Sequence, residues 1–264
     1  MCIRDRASQG RLNEVAVLIR DSKKNRKKLR EFGGQIQVFY GDITNQEAVE
    51  RAVLGKEVVI HLAALIPTVE SSNNILVSRV NIQGTEILVK TMEQTAPNAF
   101  LLFSSSVAIY GDRIKEPFIQ INDPLLGVEY DHYSYTKVEA EKIIKASTLR
   151  WSIFRLSAIM GIGNHKISGI MFQVPLATPM EIATVKDTAH AFLKAIDHQE
   201  ALNRMVFNLS GGERCRITYE DFMKRAFHAY GLGKLNFPKH AFAFQNFHCG
   251  YFLDADQLED ILQL

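Results

Sequence analysis

The sequence predicts an α/β fold built on a doubly wound parallel sheet. Three observations predict it. Short apolar runs alternate with segments of helical periodicity along the chain. The run Val58–Leu62 is continuously apolar, as suits a parallel strand covered on both faces. The composition, 47% apolar and 23% charged over 264 residues, is that of an ordinary globular protein rather than a disordered or collagen-like one.

The elements follow in order. Ala16–Ile19 reads as a short buried strand and Ile36–Tyr40 as a second. Thr44-x-x-Glu47 has the spacing of a capping box and opens a helix with Val49, Ala52 and Val53 on one face. Val58–Leu62 is the third strand. A long helix follows, its inner face carrying Val80, Gly84, Ile87, Leu88 and Thr91. Phe100–Phe103 is the fourth strand. Tyr133 to Ala146 is helical, with Ala140, Ile143 and Ile144 inward, and Trp151–Leu156 is the fifth strand. Ala189, Phe192, Leu193 and Ile196 mark another helix, Met205–Leu209 a further strand, and Thr218-x-x-Asp221 caps a helix running to Gly231. The aromatic-rich stretch from Phe227 to Phe252 suits a lid, a core segment or a contact surface.

Several function classes are excluded or disfavoured. A net charge of +2 gives no bulk attraction for nucleic acid. The longest apolar stretch, Val58 to Val69, is short and holds His61 and Pro67, so no membrane-spanning helix fits it. Cys2, Cys215 and Cys249 form neither a disulfide framework nor a zinc pattern, and a reducing, cytoplasmic setting is expected. The eight histidines show no metal-ligand spacing. Lys23, Lys24, Arg26, Lys27, Lys28 and Arg30 read as a solvated helix face. Residues 1–6, Met-Cys-Ile-Arg-Asp-Arg, resemble translated adapter sequence and read as non-native. At the other end Leu258, Ile261 and Leu262 continue a helical pattern, so both ends read as cut.

The strongest chemical signal is Ser106 with Tyr133-x-x-x-Lys137. Tyr133 and Lys137, four apart on a helix, project from one face. An ammonium about 4 Å from a phenolate stabilises it by roughly 4 kcal/mol at an intermediate dielectric. That is enough to bring a tyrosine from about 10 toward neutrality. The pair could then exchange a proton with a substrate alcohol or carbonyl, with a strand-end serine holding the same oxygen. His132, at the helix start, reads as a capping or surface residue, and His248 beside Cys249 gives no support for thiol chemistry.

Phe103-Ser-Ser-Ser-Val-Ala-Ile-Tyr-Gly111 followed by Tyr133-Ser-Tyr-Thr-Lys137 resembles the extended short-chain dehydrogenase/reductase superfamily, the NAD-dependent epimerase/dehydratase family. Other segments from about Asn13 to Leu264 agree at family spacing. They are Gly41-Asp-Ile43, His61-Leu-Ala-Ala64, Asn81-Ile-Gln-Gly-Thr85, Arg155-Leu-Ser-Ala-Ile-Met-Gly161 with Leu156 in place of a proline, Thr184-Val-Lys-Asp-Thr-Ala189, and Asn208-Leu-Ser-Gly-Gly212 with Ile217-Thr218. The resemblance implies a Rossmann-type sheet with a small C-terminal substrate-binding part. Residues 1–160 would form the dinucleotide-binding domain and 161–264 mainly the substrate part, interleaved with the last Rossmann elements at 184–210.

The resemblance also implies roles. Ser106 holds the substrate oxygen, Tyr133 is the general acid/base, Lys137 lowers its pKa and binds the nicotinamide ribose, and Asn81 supports the lysine. Ser105 is the substitute if the strand register differs. Cofactor contacts fall on Arg20, Asp42, Ile43, Leu62, Ala63, Ala64, Tyr133 and Lys137. The expected first strand and Gly-rich phosphate loop are missing, since only fifteen residues precede Ala16 and Gly10 is the one glycine among them. The predicted sheet therefore lacks its first strand, or has that place filled by Asn13–Ile19 with an apolar gap beside it. Arg20, where an acidic residue would favour NAD, favours NADP over NAD as the cofactor.

Val107 and Ala108 stand where dehydrating relatives carry acidic residues, which disfavours dehydration. The 22 residues Ile162–Ala183 are short for holding a sugar nucleotide. The expected reaction is alcohol/carbonyl oxidoreduction on a small, apolar substrate beside Met160, Ile162, Ile167, Ile170, Met171 and Phe172, residues that serve equally as plain core. The alternatives are an NADP-sensing, non-catalytic binding protein of this fold and a sugar epimerase of the same family. The expected partner is a small molecule, with no nucleic acid and no membrane. The resemblance also suggests a homodimer pairing through the helices at 80–95 and 133–147.

Overall fold

The structure is a computed structural model and describes residues 15–66, 73–126, 131–161, 169–244 and 247–264. The sequence readings on residues 1–14, 162–168 and the other intervening positions lie outside it.

In chain order the first half runs β1 (Ala16–Ile19), α1 (Lys23–Leu29), β2 (Gln37–Tyr40), α2 (Gln46–Val53), β3 (Val58–His61), α3 (Asn74–Ser78), a π-helical turn at Arg79–Gln83, α4 (Gly84–Thr95) and β4 (Phe100–Ser106). A 3-10 turn at Val107–Tyr110 leads to β5 (Phe118–Ile119), α5 (His132–Ala146), β6 (Arg150–Leu156) and β7 (Ala158–Met160). The rest comprises β8 (Pro179–Thr184), α6 (Val185–Asp197), α7 (Gln199–Leu202), β9 (Met205–Leu209), β10 (Arg216–Thr218), α8 (Tyr219–Ala229), β11 (Tyr251–Phe252) and α9 (Asp256–Leu262).

The main sheet is parallel, in the order β3-β4-β6-β9. Its central strand β4 shows why the fold is doubly wound. Side chains alternate across a strand. Leu101 and Phe103 therefore pack on one side with Val49, Leu88, Met92, Ile144 and Trp151. Phe100 and Leu102 pack on the other with Phe154, Phe192, Phe207, Leu258 and Leu262. β1 and β2 form a separate parallel pair among the described residues, apart from the main sheet. Two small sheets, β10-β8-β7 and β11-β5, cover a third core that includes Ile109, Ile119, Met180, Met223, Phe227, Phe242 and Phe252.

Several local expectations are corrected. The cap of α2 is Asn45, whose side chain accepts from the Ala48 N–H at 2.8 Å. Thr44 instead donates its N–H and O–H to Asp42 Oδ1 at 3.0 and 2.9 Å, a local turn that competes with the helix. β4 runs on through all three serines because they pair with Phe154, Arg155 and Leu156, and ladder bonds override the weak strand propensity of serine. The long helix expected before β4 is divided by the π turn. The cap of α5 is Asp131 rather than His132. Thr218 does cap α8, accepting from the Asp221 N–H at 3.2 Å. The basic run forms α1, none of whose residues is buried, as a solvated helix requires.

Candidate functional site

The predicted cofactor residues stand at the carboxyl ends of parallel strands, where open α/β sheets bind ligands. Arg20 follows β1, Asp42 and Ile43 follow β2, and Leu62, Ala63 and Ala64 follow β3. Leu62 and Ala63 are exposed. Burial pushes the Asp42 carboxyl up, but the two bonds from Thr44 and the positive charges of Arg20 and Arg79 outweigh it, holding Asp42 below its ordinary value. Glycines permit close approach here. A Cβ on Gly41 would lie 2.4 Å from Ala48 Cβ, and one on Gly84 would lie 2.8 Å from Ile43 Cγ2. Gly84 thus lets α4 come down onto Ile43.

Asn81 sits in the π turn, a form of helix common at functional sites. Its Oδ1 accepts from the Leu65 N–H at 2.8 Å, and its Nδ2 donates to the Leu65 carbonyl and to Thr136 Oγ1, both at 3.0 Å. Asn81 therefore braces the segment after β3 against the residue preceding Lys137, and no bond from it to Lys137 is seen among the described residues. Beside it, the Thr85 hydroxyl donates to the Asn81 carbonyl at 2.7 Å, so the contact with His61 at 3.0 Å requires His61 to donate from Nε2. Burial holds His61 neutral, its pKa pushed down to about 3, with the Lys137 charge adding to the effect.

Ser106, Tyr133 and Lys137 come together at the end of β4. The alternation of a strand separates the serines. Ser106 lies by the Tyr133 side chain, its hydroxyl accepting from the Ala108 N–H at 3.2 Å, whereas Ser105 faces Glu141 on the other side of the sheet. Ser106 is therefore the serine at the tyrosine. Tyr133 does not show the lowered pKa that the Tyr/Lys spacing predicted. Burial raises it to about 12, against the opposing pull of the neighbouring Ser106 hydroxyl. Lys137 Nζ is 5.9 Å from the centre of the tyrosine ring and donates to the Ser104 carbonyl at 2.7 Å. In this setting the penalty of burying a phenolate exceeds the attraction of the ammonium. Burial likewise lowers Lys137 to about 8, partly offset by Glu141. Its buried ammonium carries three donors, yet meets a single hydrogen-bond acceptor among the described residues. Two donors thus remain for a ligand's hydroxyls, which fits a ribose.

Three motif residues form a network that sequence reading did not connect. Arg155 grips Glu141 with two bonds, at 3.0 and 2.9 Å, and donates to Tyr110 Oη at 2.7 Å and to the Ile121 carbonyl at 2.9 Å. Tyr110 donates to Asn208 at 2.8 Å, and Asn208 to Asp254 at 2.7 Å. The position of Glu141, one helical turn after Lys137, was a signal for it; Asp254 had none.

The aromatic stretch is core in part: Phe227, Phe242 and Phe252 are buried, whereas Tyr230 and Phe237 are exposed. Phe172 and Phe242 pack at 5.2 Å and Phe227 and Phe237 at 6.0 Å, though Phe244 is exposed. Met171 and Phe172 belong to this core, whereas Met160 is half-buried. Cys249 is buried and its thiol pushed up to about 12, so it is no nucleophile, while Cys215 is exposed. Iodoacetamide is expected to label Cys215 in the native protein and Cys249 only after denaturation; peptide mass spectrometry checks this. Among the described residues no group of three or more His, Cys, Asp or Glu is placed to hold a metal ion, and no helix is long and apolar enough to cross a membrane.

Residues 3–153 match the 3-beta hydroxysteroid dehydrogenase/isomerase family. Among curated proteins, 3 beta-hydroxysteroid dehydrogenase type 7 of Mus musculus is 31% identical over 113 residues, 42% of this chain and 30% of that one. Sterol-4-alpha-carboxylate 3-dehydrogenase erg26, decarboxylating, of Schizosaccharomyces pombe is 24% identical over 213 residues, 73% of this chain and 62% of that one. The matches thus span less than two thirds of either relative's length. Among solved structures, MoeE5 in complex with UDP-glucuronic acid and NAD superposes with a TM-score of 0.78 at 16% identity, covering 100% of this chain and 88% of that one. That likeness shows the Rossmann-type fold.

Proposed function

Because the chain belongs to the 3-beta hydroxysteroid dehydrogenase/isomerase family, we propose that it catalyses NAD(P)-dependent oxidoreduction of an alcohol/carbonyl pair on a small, apolar substrate of sterol type. The observation that carries this reading is the meeting of Ser106, at the end of β4, with the Tyr133 side chain, with the ammonium of Lys137 buried beside them and donating to the Ser104 carbonyl at 2.7 Å. The sterol-type relative from S. pombe, matched over 213 residues, supports the substrate class.

The nicotinamide, when bound, accepts or gives the hydride. The residues do the rest. Tyr133 is protonated at neutral pH, which readies Oη to donate to a substrate carbonyl oxygen as charge develops there. Ser106 shares that oxygen. Lys137, still charged at neutral pH, holds the cofactor's ribose with its two remaining donors and stabilises the phenolate left behind. Asp42, Ile43 and the segment Leu62–Ala64 hold the adenosine and the length of the cofactor. Arg20, exposed at the end of β1, favours a 2′-phosphate and hence NADP.

The test follows nicotinamide absorbance with NAD(H) and NADP(H) against a panel of 3-hydroxysteroids, 3-ketosteroids, simple ketones and UDP-sugars. The expected result is turnover of a steroid or ketone, with a lower KM for the phosphorylated cofactor. Turnover of UDP-sugars alone overturns the substrate class, and tight cofactor binding with no turnover supports the sensor instead.

A further inference from the structure

We infer that His248 is a positioning residue for Tyr133, acting through Asp131; the inference rests on the oxidoreductase reading of Tyr133. The two oxygens of Asp131 have different tasks. Oδ1 accepts from the backbone N–H groups of Tyr133 at 3.0 Å and Ser134 at 3.2 Å, so it fixes the first turn of the helix that carries Tyr133. Oδ2 meets Nδ1 of His248 at 2.5 Å. The imidazole stacks on Phe247 at 4.8 Å and stands 6.4 Å from the centre of the Tyr133 ring. Asp131, the cap of α5, and Tyr133, in its first turn, are the titratable groups seen to face it among the described residues.

His248 is itself held from behind. Cys249 is buried, and β11 follows at once, paired with β5 over the third core. A segment anchored in the substrate half therefore reaches back and grips the carboxylate that starts the α5 helix. Without the imidazole, Oδ2 loses its close polar neighbour while buried. Relieving that penalty means turning the carboxylate or protonating it, and either change loosens the bonds to Tyr133 and Ser134. The position of Tyr133 relative to Ser106 thus depends on a residue far along the chain and outside every motif of the sequence.

The experiment measures amide hydrogen exchange of Tyr133 and Ser134 in the full chain, together with turnover. His248→Phe keeps a ring for the stack on Phe247 but removes Nδ1; His248→Asn restores a nitrogen donor near that position. Removing the close polar neighbour of a buried carboxylate is expected to give roughly tenfold faster exchange in the Phe variant, with kcat lowered by a similar factor at unchanged KM. The Asn variant is expected to recover most of both. Wild-type exchange in His248→Phe, or no recovery in His248→Asn, overturns the inference. If amides of β4 also exchange faster in His248→Phe, that variant has lost its fold, and Asp131→Asn decides: it keeps Oδ1 and loses the carboxylate oxygen that faces His248. Faster exchange at Tyr133 and Ser134 in Asp131→Asn supports the inference, and wild-type exchange overturns it. Should no substrate turn over, exchange still judges His248, and the oxidoreductase reading fails by itself.

Discussion

Tyr133→Phe is expected to lower kcat by about 10² to 10⁴-fold, the usual contribution of a positioned general acid. The substitution is a narrow one. The ring stays, so its contact with His248 is kept, and the loss is the hydroxyl beside Ser106. Loss of one hydroxyl's polar contacts costs on the order of 1 kcal/mol, so the unfolding midpoint should move by only a few degrees. Cofactor binding should persist, because Lys137 donates to the Ser104 carbonyl and not to the tyrosine. Nicotinamide absorbance and a thermal melt check both halves of the expectation. Equal turnover in the two proteins would remove Tyr133 from the mechanism. Wild-type activity is also expected to decline above about pH 8, where Lys137 loses its proton.

Arg155→Met is expected to cost about 3–5 kcal/mol of stability, since it strips the partner from a buried carboxylate. In a chain of this size that is a fall of roughly 6–20 °C in Tm. Glu141 and Arg155 are both almost wholly buried. The other cation on Glu141, Lys145, is partly exposed and makes a single bond at 2.9 Å. The same substitution frees Tyr110 Oη and the Ile121 carbonyl. Adding Glu141→Gln should recover much of the loss, because the uncompensated charge is then gone. The pH dependence has a definite sign. Burial raises the Glu141 pKa, but Arg155, Lys145 and Ser105 outweigh it, so the folded value lies below the ordinary 4.5. The pair's contribution is therefore complete above about 4.5 and is lost as pH falls through the folded value. The gap in Tm between wild type and Arg155→Met should narrow on the acid side, as measured by melts from neutral pH downward.

The strands of the main sheet were legible because each carries a short apolar run, as Phe100–Phe103 does in β4, and β9, like β1 of the separate pair, falls on the predicted residues. The triad was legible because Tyr133 and Lys137 share one helix and Ser106 ends one strand. What escaped was non-local. β5, β7, β10 and β11 are two or three residues long, and strands so short are defined by their partners rather than by any pattern of their own. Arg155, Tyr110 and Asn208 were visible as separate motif letters, but the bonds that join them cross from one element to another. The tyrosine pKa escaped because spacing gives the distance to a charge and says nothing of the depth of burial. Asp131 was readable as a capping residue before a helix, whereas its hold on His248 depends on a fold that brings the two together.

The wide turn at Arg79–Gln83 divides what would be one helix into two with independent phase. Ile75 and Leu76 before it are exposed, while Leu88, Val89 and Met92 after it are buried. An unbroken α-helix would carry a single apolar stripe through both parts. The turn resets the angle between them and leaves Asn81 pointing inward at the joint. Inserting or deleting one residue there would rotate Asn81 away from Leu65 and Thr136 with every side chain of the site still present. The chemistry of this region is therefore encoded partly in a count of residues, which no single substitution can alter.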